Sequence, residues 1–392
     1  MVLRNGRFRL LFSANLASGI GNWLALIALQ VAVYDLTHSG WWVGALLIAT
    51  LLPSIFLGLL FGPLVDRVSR KGLMIASDVG RLAVFCVLPF AGSASAIVAL
   101  SAVAGVGNAI FRPAVIAGVP NLVSDEELPD ANAILQLVEW GTTAAGPLLG
   151  GVIVAASGPH LAYWTNAVTF AISALLVARI PGRLLQSERP ISRGHWSDLG
   201  EGFQTVLRSR ELLTVLVVWT IAMIPLAAVN LAEIFLAKRT LDAGDFGFGL
   251  LWAGSGCGLV AGGLLTSGIV QRFGTGAVYP RALLLWALGT AGAAASPDIW
   301  LAVLGMAVGS VGNGVAVVVN ITLVQRGAPD HLRGRALTAI MSVNASMMLV
   351  VFLVAGPVTD ALGARAVYAI SAGTLVLAAL AALRLLPSGR TV

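Results

Sequence analysis

Long apolar segments follow one another along this chain, separated by short polar breaks, and this succession limits the fold more than any other feature of the sequence. A helix rises about 1.5 Å per residue, so about 20 apolar residues cross the hydrocarbon core of a bilayer. The segments lack the alternating pattern of transmembrane β-barrel strands. Only 11% of the residues are charged, whereas soluble domains carry about 25%. The sequence therefore predicts an all-α polytopic membrane protein.

The lengths and spacing of these segments predict twelve membrane-spanning helices. Their predicted ranges are 9–34, 41–62, 73–92, 96–118, 131–157, 159–180, 212–236, 247–271, 277–296, 298–324, 335–358 and 363–386. Most of the 24 lysine and arginine residues then fall on one side of the membrane, and the loops of the other side carry only Lys238, Arg239 and Arg365. Since lysine and arginine accumulate in cytoplasmic loops, we expect both termini to be cytoplasmic.

One long polar break divides the predicted helices into two sets of six. It covers residues 181–211, so the expected domains are an amino-terminal bundle over 1–180 and a carboxy-terminal bundle over 212–392. A short amphipathic helix on the inner membrane surface is predicted within the break by apolar residues at helical spacing: Leu199, Phe203, Val206 and Leu207. The break is either a plain linker, which we favour, or a docking site for a partner.

The two halves repeat each other at a constant separation of 205 residues, as between Gly158 and Gly363. The other matched pairs include Gly44 and Gly249, Gly58 and Gly263, Arg67 and Arg272, Asn108 and Asn313, Asp125 and Asp330, Ala131 and Ala336, and Tyr163 and Tyr368. Because six helices separate the two copies, both have the same orientation. Parallel halves of six helices are one known architecture of transporters, with the substrate site between the halves.

The segment GPLVDRVSRK, residues 62–71, concentrates charge between the second and third predicted helices. It resembles the signature of the major facilitator superfamily at this position, with Ser69 in place of the second glycine of the pattern. Further stretches, among them GNWLALIALQVAVYDLTHSG and FRPAVIAGVPNLVSDEELPDANA, resemble its drug:proton antiporter branch, which includes macrolide efflux proteins and the enterobactin exporter. The resemblance covers nearly the whole chain and implies two bundles that alternate access to a central site. It also implies the inner-gate residues Gly62, Asp66, Arg67, Arg70 and Lys71.

Charged residues within the predicted spans are few, and each is a functional candidate because charge is costly in hydrocarbon. They are Asp78, Arg81, Arg112, Glu139 and Glu233. Asp78 and Arg81 are three residues apart and share a helix face. Arg112 and Glu139 lie at similar depths on consecutive helices, so they can form a pair.

These charges give two readings of the first half. In one, Glu139, our first candidate, and also Asp78 carry protons, with Arg81 and Arg112 as charge partners. In the other, both pairs are structural salt bridges that lock the inner gate. At a separation of 205 residues the four positions meet uncharged residues, so we expect ion coupling mainly in the first half.

Glu233 is the only acid within the predicted spans of the second half, near the outer end of its helix. It is therefore a further candidate for proton coupling. Alternatively, it meets a cationic substrate at the outer mouth, or it pairs with Lys238 at the membrane interface. We favour the pairing with Lys238.

Two further groups of residues are candidates for the transport pathway. A stretch similar to the antiporter motif of the fifth helix contains Gly141, Gly146, Pro147, Gly150 and Gly151. Its glycines allow close packing and its proline permits a bend, and ordinary helix packing is the alternative. Polar residues that either line a cavity or join helices are Asn15, Asn22, Gln30, Asn230, Asn313 and Asn320.

The sequence carries neither a GxxxxGK[ST] nucleotide loop nor zinc-ligand spacing, so an enzyme is not expected. We predict a monomeric secondary transporter in the plasma membrane of a prokaryote. It would export hydrophobic or amphipathic small molecules, such as drugs or natural products, by proton antiport. We expect no cofactor or metal, only membrane lipids as partners beside the substrate, and no nucleic acid, because the basic residues form no surface suited to a phosphate backbone. The alternatives are export of one endogenous molecule, such as a siderophore or lipid, and a non-transporting receptor or scaffold on the same fold.

The inner-gate signature yields a prediction for Asp66. By family resemblance its carboxylate faces the amino-terminal end of the helix that starts near 333–337, where an anion is favoured by about 0.3–1 kcal/mol. Since this contact would close the inner gate, Asp66→Asn is expected to slow transport without abolishing membrane insertion. Transport assays and membrane fractionation of the variant measure the two effects, and normal turnover would contradict this role.

Overall fold

The computed structural model describes residues 2–60, 68–185, 195–329 and 332–386, and in this part of the chain it contains helices and no β-strand. The helices are α1 Gly6–Thr37, α2 Gly40–Leu60, α3 Arg70–Val87, α4 Ala94–Gly118, α5 Leu128–Ala178, α6 His195–Arg208, α7 Arg210–Phe235, α8 Gly244–Phe273, α9 Thr275–Ala295, α10 Ile299–Gly327, α11 Arg333–Leu362 and α12 Ala364–Leu385. The all-α class predicted from the sequence is confirmed.

Ten of the helices in the described ranges are long and apolar enough to cross a membrane. One of them, α5, runs for 51 residues but has a non-helical residue inside, Gly158. This break lies where the sequence predicts the end of one span and the start of the next. Helix α9 coincides with the predicted span 277–296 but does not belong to the ten. The count of twelve spans therefore stays a prediction.

The chain divides into two compact units. Unit 1 contains Met1–His38 and Ala45–Ser192, and unit 2 contains Ser39–Gly44 and Arg193–Val392. The first residues of α2 thus belong to unit 2, where the Asp360 carboxylate accepts hydrogen bonds from the Gly40 backbone N–H (2.7 Å) and from the Ser39 hydroxyl (3.3 Å). An aspartate at a helix start satisfies free N–H groups and complements the helix dipole.

Within unit 1, α1 packs along α5, and α3 packs against α4 and α5. A cluster of buried apolar residues joins the start of α1 to the ends of α4 and α5, and it includes Phe8, Leu11, Met74, Phe111, Val115, Val177 and Ile180. Other large apolar side chains of the unit are exposed, as a helix surface that contacts lipid requires, among them Val168, Ile172 and Leu175. Both the core and the outer surface of this unit are therefore apolar.

Within unit 2, glycines bring helix backbones into direct contact. Helix α10 packs against α8 and α9, and α12 packs against α7 and α9. A Cβ atom on Gly262 of α8 would overlap the backbone oxygen of Val311, and one on Gly314 of α10 would overlap that of Leu259. Lipid offers no hydrophobic drive for helix association, so such close approach is a main source of packing energy in membranes.

The repeat seen in the sequence extends to the backbone. Gly158 and Gly363, 205 residues apart, have closely similar left-handed conformations, with φ 74° and ψ 176° in the first and φ 81° and ψ 163° in the second. Side chains rarely adopt such angles, which explains the glycine at both positions. Gly274 also has a positive φ of 77°, but its counterpart Ser69 has φ −56°, and the Ser69 hydroxyl instead caps α3 by accepting the Gly72 N–H.

The predicted amphipathic helix of the central break exists as α6 and packs on the start of α11. Gly202 approaches the backbone of Arg335 closely, and the Glu201 carboxylate forms an ion pair with the Arg335 guanidinium. Val206 is buried in the unit 2 core, whereas Leu207 is 65% exposed. The helix is therefore attached to unit 2 through polar and backbone contacts as well as apolar ones.

The glycine contacts of α8 can be tested with a matched pair of substitutions. Gly262→Ala forces a methyl group against the Val311 backbone and should cost about 1–3 kcal/mol. Gly268→Ala, on the same helix with no atom within 4 Å of the new Cβ, should be neutral or stabilising by up to about 1 kcal/mol. Thermal unfolding in detergent measures both. An equal effect of the two substitutions would contradict the packing role of Gly262.

Candidate transport site

The ion pair that the sequence predicted on α3 is buried in unit 1. Nη2 of Arg81 lies 2.6 Å from Oδ1 of Asp78, and both side chains are essentially excluded from solvent. The pair forms because the two residues are three positions apart on one helix face. An ion pair in this environment is held only if the remaining polar atoms also find partners.

Neighbouring helices supply further partners to this pair, although Nε of Arg81 has none within the described residues. The Ser173 hydroxyl of α5 donates to the second Asp78 oxygen at 2.7 Å. Nη1 of Arg81 donates to Ser18 of α1 and to the Asn108 side-chain oxygen of α4, each at 3.2 Å. The network therefore joins α1, α3, α4 and α5 through the pair of Asp78 and Arg81.

Aromatic rings and a glycine make room for the guanidinium. Its central carbon lies 4.7 Å from the ring centre of Phe111 and 4.3 Å from that of Phe170, so two rings contribute cation–π attraction. A Cβ atom on Gly107 would come within 2.7 Å of the Arg81 Cγ. The glycine thus leaves the space that the arginine stem occupies.

Arg112 and Glu139 form the second predicted pair, but in a different environment. Nη2 of Arg112 is 3.4 Å from Oε1 of Glu139, and the two side chains are 68% and 42% exposed. The Glu139 backbone oxygen also accepts the hydroxyls of Thr142 and Thr143. Glu139 is thus only partly buried within the protein, and its role as a proton carrier stays a prediction.

The inner-gate signature is described only in part, because Gly62, Asp66 and Arg67 lie outside the described residues. Nη1 of Arg70 donates to the backbone oxygens of Ala117 (2.8 Å) and Leu185 (3.2 Å), and Nζ of Lys71 donates to that of Ala178 (2.6 Å). Ala117 and Ala178 lie at the ends of α4 and α5, where carbonyl groups lack helical partners. The two cations therefore also tie helix ends together, a role that loop charge alone does not indicate.

The stretch similar to the antiporter motif packs α5 against α1. A Cβ on Gly146 would overlap Trp23, and a Cβ on Gly150 would lie 2.9 Å from the Leu24 backbone oxygen. Gly141 has no such neighbour, and Pro147 lies within the helix. Close packing is thus visible at Gly146 and Gly150, and Gly151 follows at the next position of the same helix.

Two of the six polar candidates join helices. Nδ2 of Asn22 donates to the Asn108 oxygen at 3.1 Å, and Oδ1 of Asn320 accepts the Tyr279 hydroxyl at 2.6 Å, so these two join helices. Gln30 is fully buried, and neither polar atom of its amide has a hydrogen-bond partner within the described residues. The remaining candidates, Asn15, Asn230 and Asn313, are partly buried.

Two features of unit 2 were not predicted as sites. The Thr220 hydroxyl donates to the Asn344 oxygen at 3.1 Å, which joins α7 to α11. The rings of Trp219 and Trp286 lie 6.4 Å apart and are tilted by 47°. Asn344 could have been singled out from the sequence, because it occupies the position that corresponds to Glu139 in the repeat. Its partner Thr220 could not, because a single polar residue does not indicate which residue it contacts.

Glu233 has a different environment from the one favoured on sequence grounds. Its side chain is 1% exposed, and the Lys238 ammonium lies 2.6 Å from Asp245. The pairing of Glu233 with Lys238 is therefore wrong. The cause is the π-helical turn Leu236–Thr240 that follows α7 and directs Lys238 towards the start of α8.

Comparison with known proteins gives a consistent result over most of the chain. The model of the Major Facilitator Superfamily matches residues 11–350. The chain is 27% identical to the multidrug efflux pump Tap of Mycolicibacterium fortuitum over 93% of this chain and 92% of that protein. It is also 27% identical to the MFS-type transporter YfiS of Bacillus subtilis over 67% of this chain and 63% of that protein.

Solved structures show the same fold. A crystal structure of the nucleoside transporter NupG superposes with a TM-score of 0.80 at 15% identity, over 98% of this chain and all of that one. A bacterial homologue of the iron transporter ferroportin, in an inward-facing state, superposes with a TM-score of 0.76 at 15% identity, over 98% and 99% of the two chains. At this identity the likeness concerns the fold alone.

The contrast between the two ion pairs of unit 1 predicts different costs of substitution. Asp78→Ala leaves the buried Arg81 charge uncompensated and should lower the free energy of unfolding by about 3–5 kcal/mol. Glu139→Ala, in an exposed pair, should cost at most about 1 kcal/mol. The double variant Asp78→Ala/Arg81→Met should regain part of the loss, because no charge then remains unpaired. Unfolding in detergent checks the order, and a variant Asp78→Ala as stable as Glu139→Ala would contradict it.

Proposed function

Because the chain belongs to the Major Facilitator Superfamily and is a membrane transporter rather than an enzyme, we propose that it exports hydrophobic or amphipathic small molecules by proton antiport. The observation that carries the choice of cargo is the similarity to the multidrug efflux pump Tap along nearly the full length of both chains. Alternating access by two parallel bundles of six helices completes the proposal, and the backbone repeat at Gly158 and Gly363 supports it.

Proton coupling is proposed from the acids within the spans. Asp78 is held by Arg81 and Ser173, and Glu139 is paired with Arg112. A carboxyl group can be paired with a cation in one conformation and bind a proton in the other. The change between these two states then couples proton movement to the transport cycle. Glu139 suits this role through its long, exposed ion pair, whereas the tight, buried pair of Asp78 suits a structural role.

A second cargo class is favoured by one relative. The staphyloferrin A transporter of Staphylococcus aureus is 24% identical over 42% of this chain and 43% of that protein. We therefore keep export of an endogenous siderophore-like molecule as the alternative. The proposed location is the plasma membrane of a prokaryote, with a monomer surrounded by lipid and both termini in the cytoplasm, because most basic residues fall on one side of the predicted spans.

Purified protein in liposomes tests this function. With an acidic lumen, a fluorescent hydrophobic cation such as ethidium should enter the vesicles while lumenal protons leave, and a sodium gradient of equal size should drive no uptake. A siderophore tested in the same way distinguishes the second cargo class. If neither compound moves and neither raises the unfolding temperature, the transporter proposal fails in favour of a receptor or scaffold.

The same assay tests Glu139. Glu139→Gln should lose most proton-driven uptake, because an amide cannot exchange a proton. The control is Glu126→Gln, which changes an exposed acid between α4 and α5 and should leave uptake unchanged. Proton-driven uptake by Glu139→Gln at the wild-type rate would remove Glu139 from the mechanism.

A further inference from the structure

Glu233 is an acid in the interior of unit 2 with one oxygen that its surroundings leave without a partner. It lies near the end of α7, its side chain is 1% exposed, and Oε1 has no hydrogen-bond partner within the described residues. A buried polar atom of this kind is rare in folded proteins and calls for an explanation.

The charged groups on the elements that pack against α7 have other partners. Lys238 pairs with Asp245 of α8, Asp360 of α11 accepts from Gly40 and Ser39, and Arg365 of α12 donates to the Ser296 backbone oxygen. Arg239 follows Lys238 and is exposed.

At the other end of α7, Arg335 pairs with Glu201 and Arg333 donates to backbone oxygens. No cation in the described part of unit 2 therefore forms an ion pair with Glu233.

Tyr368 lies on α12, which packs along α7. The tyrosine is fully buried, and its hydroxyl has no hydrogen-bond partner within the described residues. Within the described residues, the packed helices α7 and α12 thus each carry a buried polar atom without a hydrogen-bond partner.

The internal repeat shows that the fold does not require this acid. Tyr368 corresponds to Tyr163 at the separation of 205 residues, and Glu233 corresponds to Ala28 at the same separation. In unit 1 the Tyr163 hydroxyl donates to the Ala28 backbone oxygen at 3.4 Å. In unit 1 the residue that the tyrosine contacts is an alanine, whereas the corresponding residue of unit 2 is Glu233.

We propose that Glu233 is the proton-binding site of unit 2 and that Tyr368 is its positioning residue. An ionised carboxylate without a cation is too costly to bury, so Glu233 holds its proton in the conformation described. When the outer end of α7 becomes hydrated, the Glu233 carboxylate binds a proton from the outer solution and is then buried with it. Proton antiport requires that the carboxyl group releases this proton on the inner side in the opposite conformation, before it returns to the outer face. This site deepens the proposed proton antiport and rests on it.

The first experiment follows the proton itself, independently of transport. Infrared difference spectra of the purified protein between neutral and alkaline pH should contain the carbonyl band of a protonated carboxyl group, and the band should be lost in Glu233→Gln. Glu233→Ala, which introduces the residue that unit 1 carries at the repeated position, should fold and also lack the band. An unchanged band in both variants would overturn the proposal.

Tyr368 is tested by a matched pair of tyrosine substitutions. Tyr368→Phe should shift the frequency of the Glu233 band and the pH at which the band disappears, because the repeat of the contact between Tyr163 and Ala28 places this hydroxyl at the turn of α7 that carries Glu233. Tyr163→Phe, the same change in unit 1, should leave both unchanged. A purely structural role of Tyr368 predicts lower stability without a spectral shift, which would overturn its positioning role.

A second experiment measures proton and ethidium flux in liposomes as the pH on the outer face of the protein is raised. Wild-type transport should slow as Glu233 fails to regain its proton, and the permanently neutral Glu233→Gln should lose this pH dependence together with proton counterflow. If Glu233→Gln keeps both the pH dependence of transport and the proton counterflow, the proposal is overturned. If the wild type itself moves ethidium without protons, antiport fails, whereas the infrared band still decides whether Glu233 binds a proton.

Discussion

A polar group inside the hydrocarbon of a bilayer must find its partner within the protein, and most features of this structure follow from that constraint. It favours helices, whose backbone groups satisfy each other. It places Arg70 and Lys71 on carbonyl groups at helix ends, and it surrounds Arg81 with an aspartate, a serine, an asparagine and two aromatic rings. Where the constraint is met, the polar group is a fixed part of the fold.

The same constraint separates the acids into two kinds. Asp78 has an arginine and a serine on its two oxygens, so moving it would break several contacts at once. Glu139 has one long, exposed ion pair, and Glu233 has an oxygen without a partner. The groups that change state in a transport cycle are expected among those with the fewest contacts to lose, since strongly satisfied networks resist rearrangement.

The sequence predicts those features that depend on local spacing. The lengths of the apolar segments predict the helices, the boundary between the spans 131–157 and 159–180 predicts the break at Gly158, and a separation of three residues predicts the pair of Asp78 and Arg81. Contacts of Arg81 with Ser18 and Asn108 depend on how each helix is rotated about its axis. Periodicity does not determine this rotation when apolar residues surround the helix. The partner of Lys238 escaped prediction because a π-helical turn redirects the chain there.

The central claim is that cargo movement is coupled to proton movement. It is tested most directly by measuring the cargo gradient at which the net flux of cargo is zero. In liposomes with a set pH difference, the cargo gradient is varied until net flux is zero. Proton antiport predicts that zero flux occurs at unequal cargo concentrations and that this point shifts with the imposed pH difference. Zero flux at equal cargo concentrations for every pH difference would contradict the account.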